Sequence, residues 1–376
     1  MKVAIVHDWL VTYAGAERVL EQMLNCYPNA DIYSLVKFLD DDSFIKNKDV
    51  KTSFIQRLPF SKSKYRLYLG LMPLAVEQFD LSEYDLIISS SHAVAKGVLT
   101  GPDQLHICMC YSPIRYAWDL QHQYLKESNL EKGLKSFLAR LLLHSIRKWD
   151  LRTVNGVDHF IGISKFIQRR IMKLYRRDAK IIYPPVDTEM FKPLKIKKKN
   201  FYVTCSRMVP YKKIDLIVQT FSEKHPEKEL VVMGDGPDYK KIKKLAGSNI
   251  KMLGQVSFET LHKNLNEAKA FIFAAEEDFG ISPIEAQSCG TPVIAYKKGA
   301  ANETIIGLNA ENPTGVLFEN QTTSSLSDAI TLFEKNYEKI SSTACIENAS
   351  RFSINKFYNE FKDFIELKFQ QHEAHK

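Results

Sequence analysis

Six cysteines occur in this 376-residue chain, and no two of them are spaced C-x-x-C. A zinc ribbon or a redox dithiol is therefore not indicated. Cys108 and Cys110 alternate along a strand-like run, and buried free thiols in a reducing compartment are the expectation. No run of about 18 apolar residues is present, which removes a helix long enough to span a membrane. The opening MKVAIVHDWL has only a short apolar run before His7 and Asp8, too little for the core of a secretory signal. It reads as a first strand, and a cytoplasmic location is expected. No G-x-G-x-x-G follows that strand, which weakens a nicotinamide-dinucleotide reading. The one D-x-D lies inside the acidic triplet Asp40–Asp42 and reads as a helix start, where acids offset exposed amides. No metal site and no cofactor are expected. Acidic residues are the deficit: 44 Asp and Glu stand against 52 Lys and Arg, a formal charge of +8. That balance suits nucleotide diphosphates, lipid phosphates or an anionic membrane. Nucleic acid is not the expected partner.

What is present is organised around FIFAAEEDFGISPIEAQSCGTPVIA, from Phe271 to Ala295. A short apolar run (Phe271–Phe273) and a second one from Pro292 read as buried strands. Between them Ser282 is expected as a helix N-cap, with Pro283 at the first helical position and Glu285 closing a capping box. The acidic turn Glu276-Glu277-Asp278 and the bare backbone of Phe279-Gly280 precede the helix. A loop at the carboxyl end of a strand, feeding a helix N-terminus, is where an open parallel sheet holds a phosphorylated ligand. Taken singly, Glu285 is equally a capping partner and Glu277 a solvated loop acid.

The rest of the chain alternates in the same way. Strands are expected over Val3–Val6, Tyr84–Ser91, Leu105–Cys110, Phe160 onward, Phe201–Cys205, Leu230–Met233 and Ile250–Leu253. Helices are expected over Gly15–Cys26, from Ile214, after Pro237 and from Phe258. Alternation of this kind argues for doubly wound parallel sheets. Pro184-Pro185 breaks regular structure, and the lysine-rich run Lys192–Asn200 reads as an interdomain linker. Two further stretches, Arg57–Phe79 and Leu134–Arg152, mix lysine and arginine with large apolar residues. They are either core helices with solvated basic faces or docking elements for an anionic membrane.

The pattern EEDFGISPIEA, with Glu277 and Glu285 separated by seven residues, resembles the two-glutamate signature of retaining GT-B glycosyltransferases of family 4. Ser206-Arg207-Met208-Val209-Pro210-Tyr211-Lys212, Gly234-Asp235-Gly236-Pro237 and the run from Gly299 extend the resemblance over most of the chain. The resemblance implies two Rossmann-like α/β domains facing a cleft, residues 1–185 and 186–352, with a final helix (353–376) packing back on the first. It implies that Glu277 contacts the transferred sugar and Glu285 the nucleotide ribose. Arg207 and Lys212 would grip the leaving diphosphate, and Gly15 would approach the donor phosphates. Phe279, Gly280, Ile281 and Ser282 complete the implied donor site. Where relatives carry a histidine in the first domain, this chain offers Tyr111 at the better-matched position and His92 one strand earlier. HDWL, AGAERVL and SPIRYAWDL look most like bacterial mannosyltransferases that use GDP-mannose in surface-polysaccharide assembly. A lipid-linked or oligosaccharide acceptor follows from that likeness, with peripheral contact at the inner face of the plasma membrane. A nucleotide-sugar epimerase of the same fold and a non-catalytic nucleotide-sugar-binding subunit remain as alternatives.

Overall fold

The computed structural model describes all residues from Met1 to Lys376. The chain divides into two compact units, Met1–Pro185 with Phe357–Lys376, and Val186–Lys356. Each unit is a parallel sheet with helices between successive strands.

The first unit holds β1 (Val3–His7), β2 (Asp31–Ser34), β3 (Val50–Thr52), β4 (Leu86–Ser91), β5 (Leu105–Cys110), β6 (His159–Gly162) and β7 (Ala179–Ile181). They lie in the order β3-β2-β1-β4-β5-β6-β7. β1, β4 and β5 are buried at every position, as strands covered on both faces must be. Their register sets His7 opposite Ser90 and Ser89 opposite Cys108. Polar side chains on these strands therefore find partners on the neighbouring strand.

The second unit holds β8 (Phe201–Cys205), β9 (Glu229–Met233), β10 (Ile250–Gly254), β11 (Ala270–Phe273), β12 (Val293–Tyr296) and β13 (Gly315–Phe318). Their order is β10-β9-β8-β11-β12-β13. Alternate residues feed two separate cores. Tyr202, Leu230, Ile272 and Ile294 enter one, while Val203, Val231, Phe271 and Val293 enter the other. That period of two is what a strand buried between two helical layers requires.

Strand order reverses between β1 and β4 in the first unit and between β8 and β11 in the second. At such a reversal the loops leaving the two central strands run to opposite faces, which opens a crevice at the carboxyl ends. The residues of interest lie at these two places.

Three expectations need correction. The run Lys192–Asn200 is not a free linker but is attached to the second unit. The Leu194 amide donates to Asn266 Oδ1 at 2.7 Å, the Lys199 amide to Glu267 O at 2.7 Å, and Lys198 Nζ to Thr291 Oγ1. Lysine content marked it as solvated, but backbone donors and acceptors bind wherever a neighbouring loop end offers a partner. Asp40–Asp42 does not start an α-helix; a single 3-10 turn, Ser43–Ile45, follows it. Asp42 is spent on Lys37 at 2.7 Å. Arg57–Phe79 is not one helix but short turns ending in the helix Met72–Glu77, because Pro59, Gly70 and Pro73 interrupt it.

Candidate functional site

In the second unit, the loop after β8 carries Arg207 and Lys212 and the loop after β11 carries Glu277. The 206–208 loop is held from behind by the Gly234-Asp235-Gly236 turn. The Met208 amide donates to Asp235 O at 2.8 Å and the Ser206 amide to Met233 O at 3.1 Å. A Cβ on Gly234 would lie 2.0 Å from Ser206 O, and one on Gly236 would lie 2.5 Å from Met208 O. Only glycine permits that approach. Lys212 ends a 3-10 turn, Pro210–Lys212, from which its ammonium reaches across to the Glu277 carboxylate in an ion pair. Arg207, on the same loop as Lys212, is exposed. Cys205 senses the same constellation: burial and then the negative charge of Glu285 push its thiol up to about 12, while Lys212 pulls the other way.

The Glu277 backbone is fixed as tightly as its side chain. It pairs with Gly299 in an isolated parallel bridge, and the Ala300 amide donates to Glu277 O at 2.9 Å. Gly299 has φ +79°, and a Cβ there would lie 2.4 Å from Glu277 O. Ala300, where the resembled motif has a second glycine, has φ −84°, a conformation open to any residue. Its substitution is therefore structurally silent.

The helix that follows is Ile281–Ser288, and its N-cap is Gly280 at φ 83°, not Ser282. The left-handed glycine turns the chain into the helix two residues earlier than the Ser282-Pro283 signal suggests. Pro283 then sits third in the helix, where its missing N–H removes no intrahelical bond. Glu285 is no longer at the capping-box position, so its buried carboxylate (8% exposed) is not explained by capping. No side chain caps this helix; Gly280, Ile281 and Ser282 present the start of its dipole at the Glu277 loop. The Phe279 ring is buried against Phe352, with ring centroids 5.7 Å apart. Its side chain is thus an anchor for the loop, and only its backbone is left for a ligand.

In the first unit the carboxyl ends of β1 and β4 gather a buried polar cluster that sequence reasoning missed. Asp8 Oδ2 accepts the amides of His92 and Ala93 at 2.6 and 2.9 Å. Its Oδ1 accepts those of Val94 and Ala95, both at 2.7 Å. Four amides around one fully buried carboxylate fix the loop that carries His92. The His92 imidazole keeps 30% exposure, with Nδ1 3.1 Å from Asp8 Oδ2 but off the hydrogen-bond axis, and its ring meets Trp9 edge-on at 4.6 Å. Burial lowers its pKa, against the attraction of Asp8. Deeper in, His7 Nδ1 lies 2.8 Å from Ser90 Oγ, and Ser90 Oγ lies 2.8 Å from the Tyr111 hydroxyl. Glu17 accepts the Ala14 amide at 3.0 Å. Burial opposes its ionisation, but His7 and backbone amides prevail and lower its pKa. Gly15 opens the helix Gly15–Cys26 that this carboxylate caps.

The two helper candidates are now distinct. The Tyr111 hydroxyl donates to Ala16 O at 3.2 Å, and burial raises its pKa. It braces the Gly15 helix. His92 is the accessible one. The signal for Asp8 was visible as a charged residue directly after the first strand of a parallel sheet, at its carboxyl end.

Residues 185–352 match the family described as glycosyl transferases group 1, and residues 13–190 match the one described as glycosyltransferase family 4. Together the two matches run through both units. The chain belongs to the group 1 glycosyltransferases. A similar sequence is that of an uncharacterised glycosyltransferase of Methanocaldococcus jannaschii, 27% identical over 60% of this chain and 66% of that protein. Another is the GDP-mannose-dependent monoacylated alpha-(1-6)-phosphatidylinositol monomannoside mannosyltransferase of Corynebacterium glutamicum, 27% identical over 46% of this chain and 52% of that protein. The chain thus spans between about half and two thirds of these relatives. Among solved structures, Anabaena HepE in complex with UDP has a TM-score of 0.66 at 17% identity, covering 97% of this chain and 100% of that one. The sucrose-phosphate synthase of Thermosynechococcus elongatus has a TM-score of 0.73 at 15% identity, covering 99% and 100%. The fold shared by this group 1 glycosyltransferase and these neighbours is GT-B.

Proposed function

We propose that this chain transfers mannose from GDP-mannose, with retention of anomeric configuration, to a lipid-linked or oligosaccharide acceptor in surface-polysaccharide assembly. The observation that supports the reading is the Lys212–Glu277 ion pair between the loops that follow β8 and β11, with Arg207 on the first of these loops. A leaving nucleoside diphosphate gains negative charge as the glycosidic bond breaks, and two cations aimed at it lower the barrier. Glu277 stands ready for the transferred sugar, whose anomeric carbon becomes positive as the bond lengthens. No carboxylate is assigned to a place beneath the anomeric carbon, so attack by the acceptor hydroxyl on the same face as the departing diphosphate is favoured over a covalent intermediate. Glu285 holds the ribose. Within the first unit, His92 is the accessible candidate for a catalytic group. The choice of mannose is supported by the name of the Corynebacterium relative, and by that of a Salmonella O-antigen chain mannosyltransferase that is 24% identical over 47% of this chain.

The test is a screen of nucleotide sugars by melting temperature, followed by transfer assays, since a ligand that binds only the folded state stabilises it by mass action. GDP-mannose is expected to give the largest rise and to support transfer. A larger rise with a uridine donor overturns the donor assignment, and isomerisation of the donor alone converts the reading to an epimerase. Binding without hydrolysis or transfer marks a non-catalytic subunit. Transfer is expected to persist in excess chelator, because Arg207 and Lys212 supply the positive charge a metal would bring.

A further inference from the structure

Lys198 is a half-buried amine that the donor site does not use. Its ammonium donates to Thr291 Oγ1, and Thr291 gives its own hydroxyl proton to Leu265 O at 2.5 Å. The adjacent Lys199 closes an ion pair with Glu267 at 2.8 Å, whereas no carboxylate pairs with Lys198. The acidic groups that face it are two thiols, Cys289 and Cys345. Their Sγ atoms donate to Phe191 O at 3.3 Å and to Thr314 O at 3.8 Å, and burial pushes both up to about 12. They stay protonated near neutral pH and give the ammonium no counter-ion.

A charge held in a crevice on one hydroxyl is costly, and releasing the proton relieves the cost. Burial brings Lys198 down to about 8. Its neutral fraction near pH 7 therefore exceeds that of an ordinary lysine on the order of a hundred-fold, and a neutral amine is a nucleophile. Lys198 precedes β8 and Thr291 precedes β12, so both lie at the amino ends of the strands. Lys212 and Glu277 lie beyond the carboxyl ends. Lys192, Lys195 and Lys197 are exposed on the same segment, and residues 192–200 include no acid. An anionic reagent is thus drawn to this place. A carbamate would put an unpaired anion into the crevice. A neutral amide keeps one N–H for Thr291 Oγ1 and removes the charge that burial opposes.

We propose that Lys198 is an acylation site whose acyl donor is a small acyl phosphate. The Nζ lone pair forms a bond to the acyl carbon, and the bond from that carbon to the phosphate oxygen breaks. Phosphate leaves with the electron pair, and the amine proton passes to phosphate or water. The proposal is independent of the sugar donor and acceptor assigned above. The full chain would be incubated with acetyl phosphate and each lysine of the segment followed by peptide mass spectrometry. Near neutral pH, Lys198 is expected to be acetylated about ten-fold faster than Lys195 and Lys197, part of its larger neutral fraction being offset by restricted access. Its rate should level off above about pH 8 while theirs continue to rise, and it should fall as salt rises. In denaturing urea the three should react alike. A native rate at Lys198 no greater than at Lys195 and Lys197 overturns the proposal. So does a preference that survives urea, a rate that climbs in parallel with theirs, or one indifferent to salt. Sugar transfer by the unmodified chain reports the glycosyltransferase reading separately.

Discussion

Lys212 and Glu277, 65 positions apart, close an ion pair between the loops that follow β8 and β11. Each side chain keeps about a fifth of its surface exposed, so water and salt screen the pair and its contribution to stability is small. Its consequence concerns ligands. A nucleoside diphosphate arriving at Lys212 must share the ammonium with Glu277 or draw it away. On the proposed donor reading, this would release the carboxylate towards the sugar when phosphate is present.

Glu277→Gln removes the competitor for Lys212 and also the charge that answers a developing oxocarbenium ion. It is expected to bind GDP several-fold more tightly while losing about 10²-fold or more in kcat. Glu285→Gln is expected instead to weaken GDP and donor binding together, with little change in melting temperature, since it closes no capping box. Calorimetric GDP titrations and steady-state kinetics on both variants separate the roles. Wild-type turnover in Glu277→Gln, or normal GDP affinity in Glu285→Gln, reverses the assignment.

Gly299 and Ala300 make a matched pair. Gly299→Ala forces a Cβ to 2.4 Å from Glu277 O at φ +79°, and should cost about 1–3 kcal/mol of stability together with most activity. Ala300→Gly, at an ordinary φ, should cost at most about 1 kcal/mol and leave kcat intact. Denaturant unfolding and transfer rates on the two variants check this. Equal damage from both removes the steric account.

Asp8 and His92 should differ in kind. Asp8→Ala leaves four backbone amides without their buried acceptor and is expected to destabilise the first unit by about 3 kcal/mol or more. His92→Ala removes a side chain that no hydrogen bond holds in place. It should lower kcat at nearly unchanged melting temperature. A large melting-temperature loss in His92→Ala would reassign the residue to structure.

His106 offers a pH signature independent of the site. It is fully buried, with Nε2 2.9 Å from Ser89 Oγ and Nδ1 2.7 Å from Gly156 O. Burial brings its pKa down to about 4. Between the ordinary histidine value and that figure, the unfolded chain binds a proton that the native chain refuses. Stability therefore falls as pH drops from about 6.5 to about 4, by about 3 kcal/mol at most from this group, and the loss levels off below that range. Denaturant unfolding across this range should show a shallower slope in His106→Gln than in the wild type.

The strand runs, the helix starts at Gly15, Ile214 and Phe258, and the EEDFGISPIEA pattern were all legible in the sequence by itself. Each depends on local periodicity or on residues close along the chain. The parallel α/β class followed from them. What only tertiary structure decided depends on partners far apart in sequence. The left-handed Gly280 overrode the Ser282-Pro283 start, and the loops bearing Asp8 and His92 met because β1 and β4 are adjacent in the first sheet. Lys212 found Glu277 because β8 and β11 are neighbours at the reversal of strand order. The basic amphipathic stretches show the same division. Their composition was plain from the residues, but which leucines faced water depended on which side of helix 134–153 the rest of the unit buried.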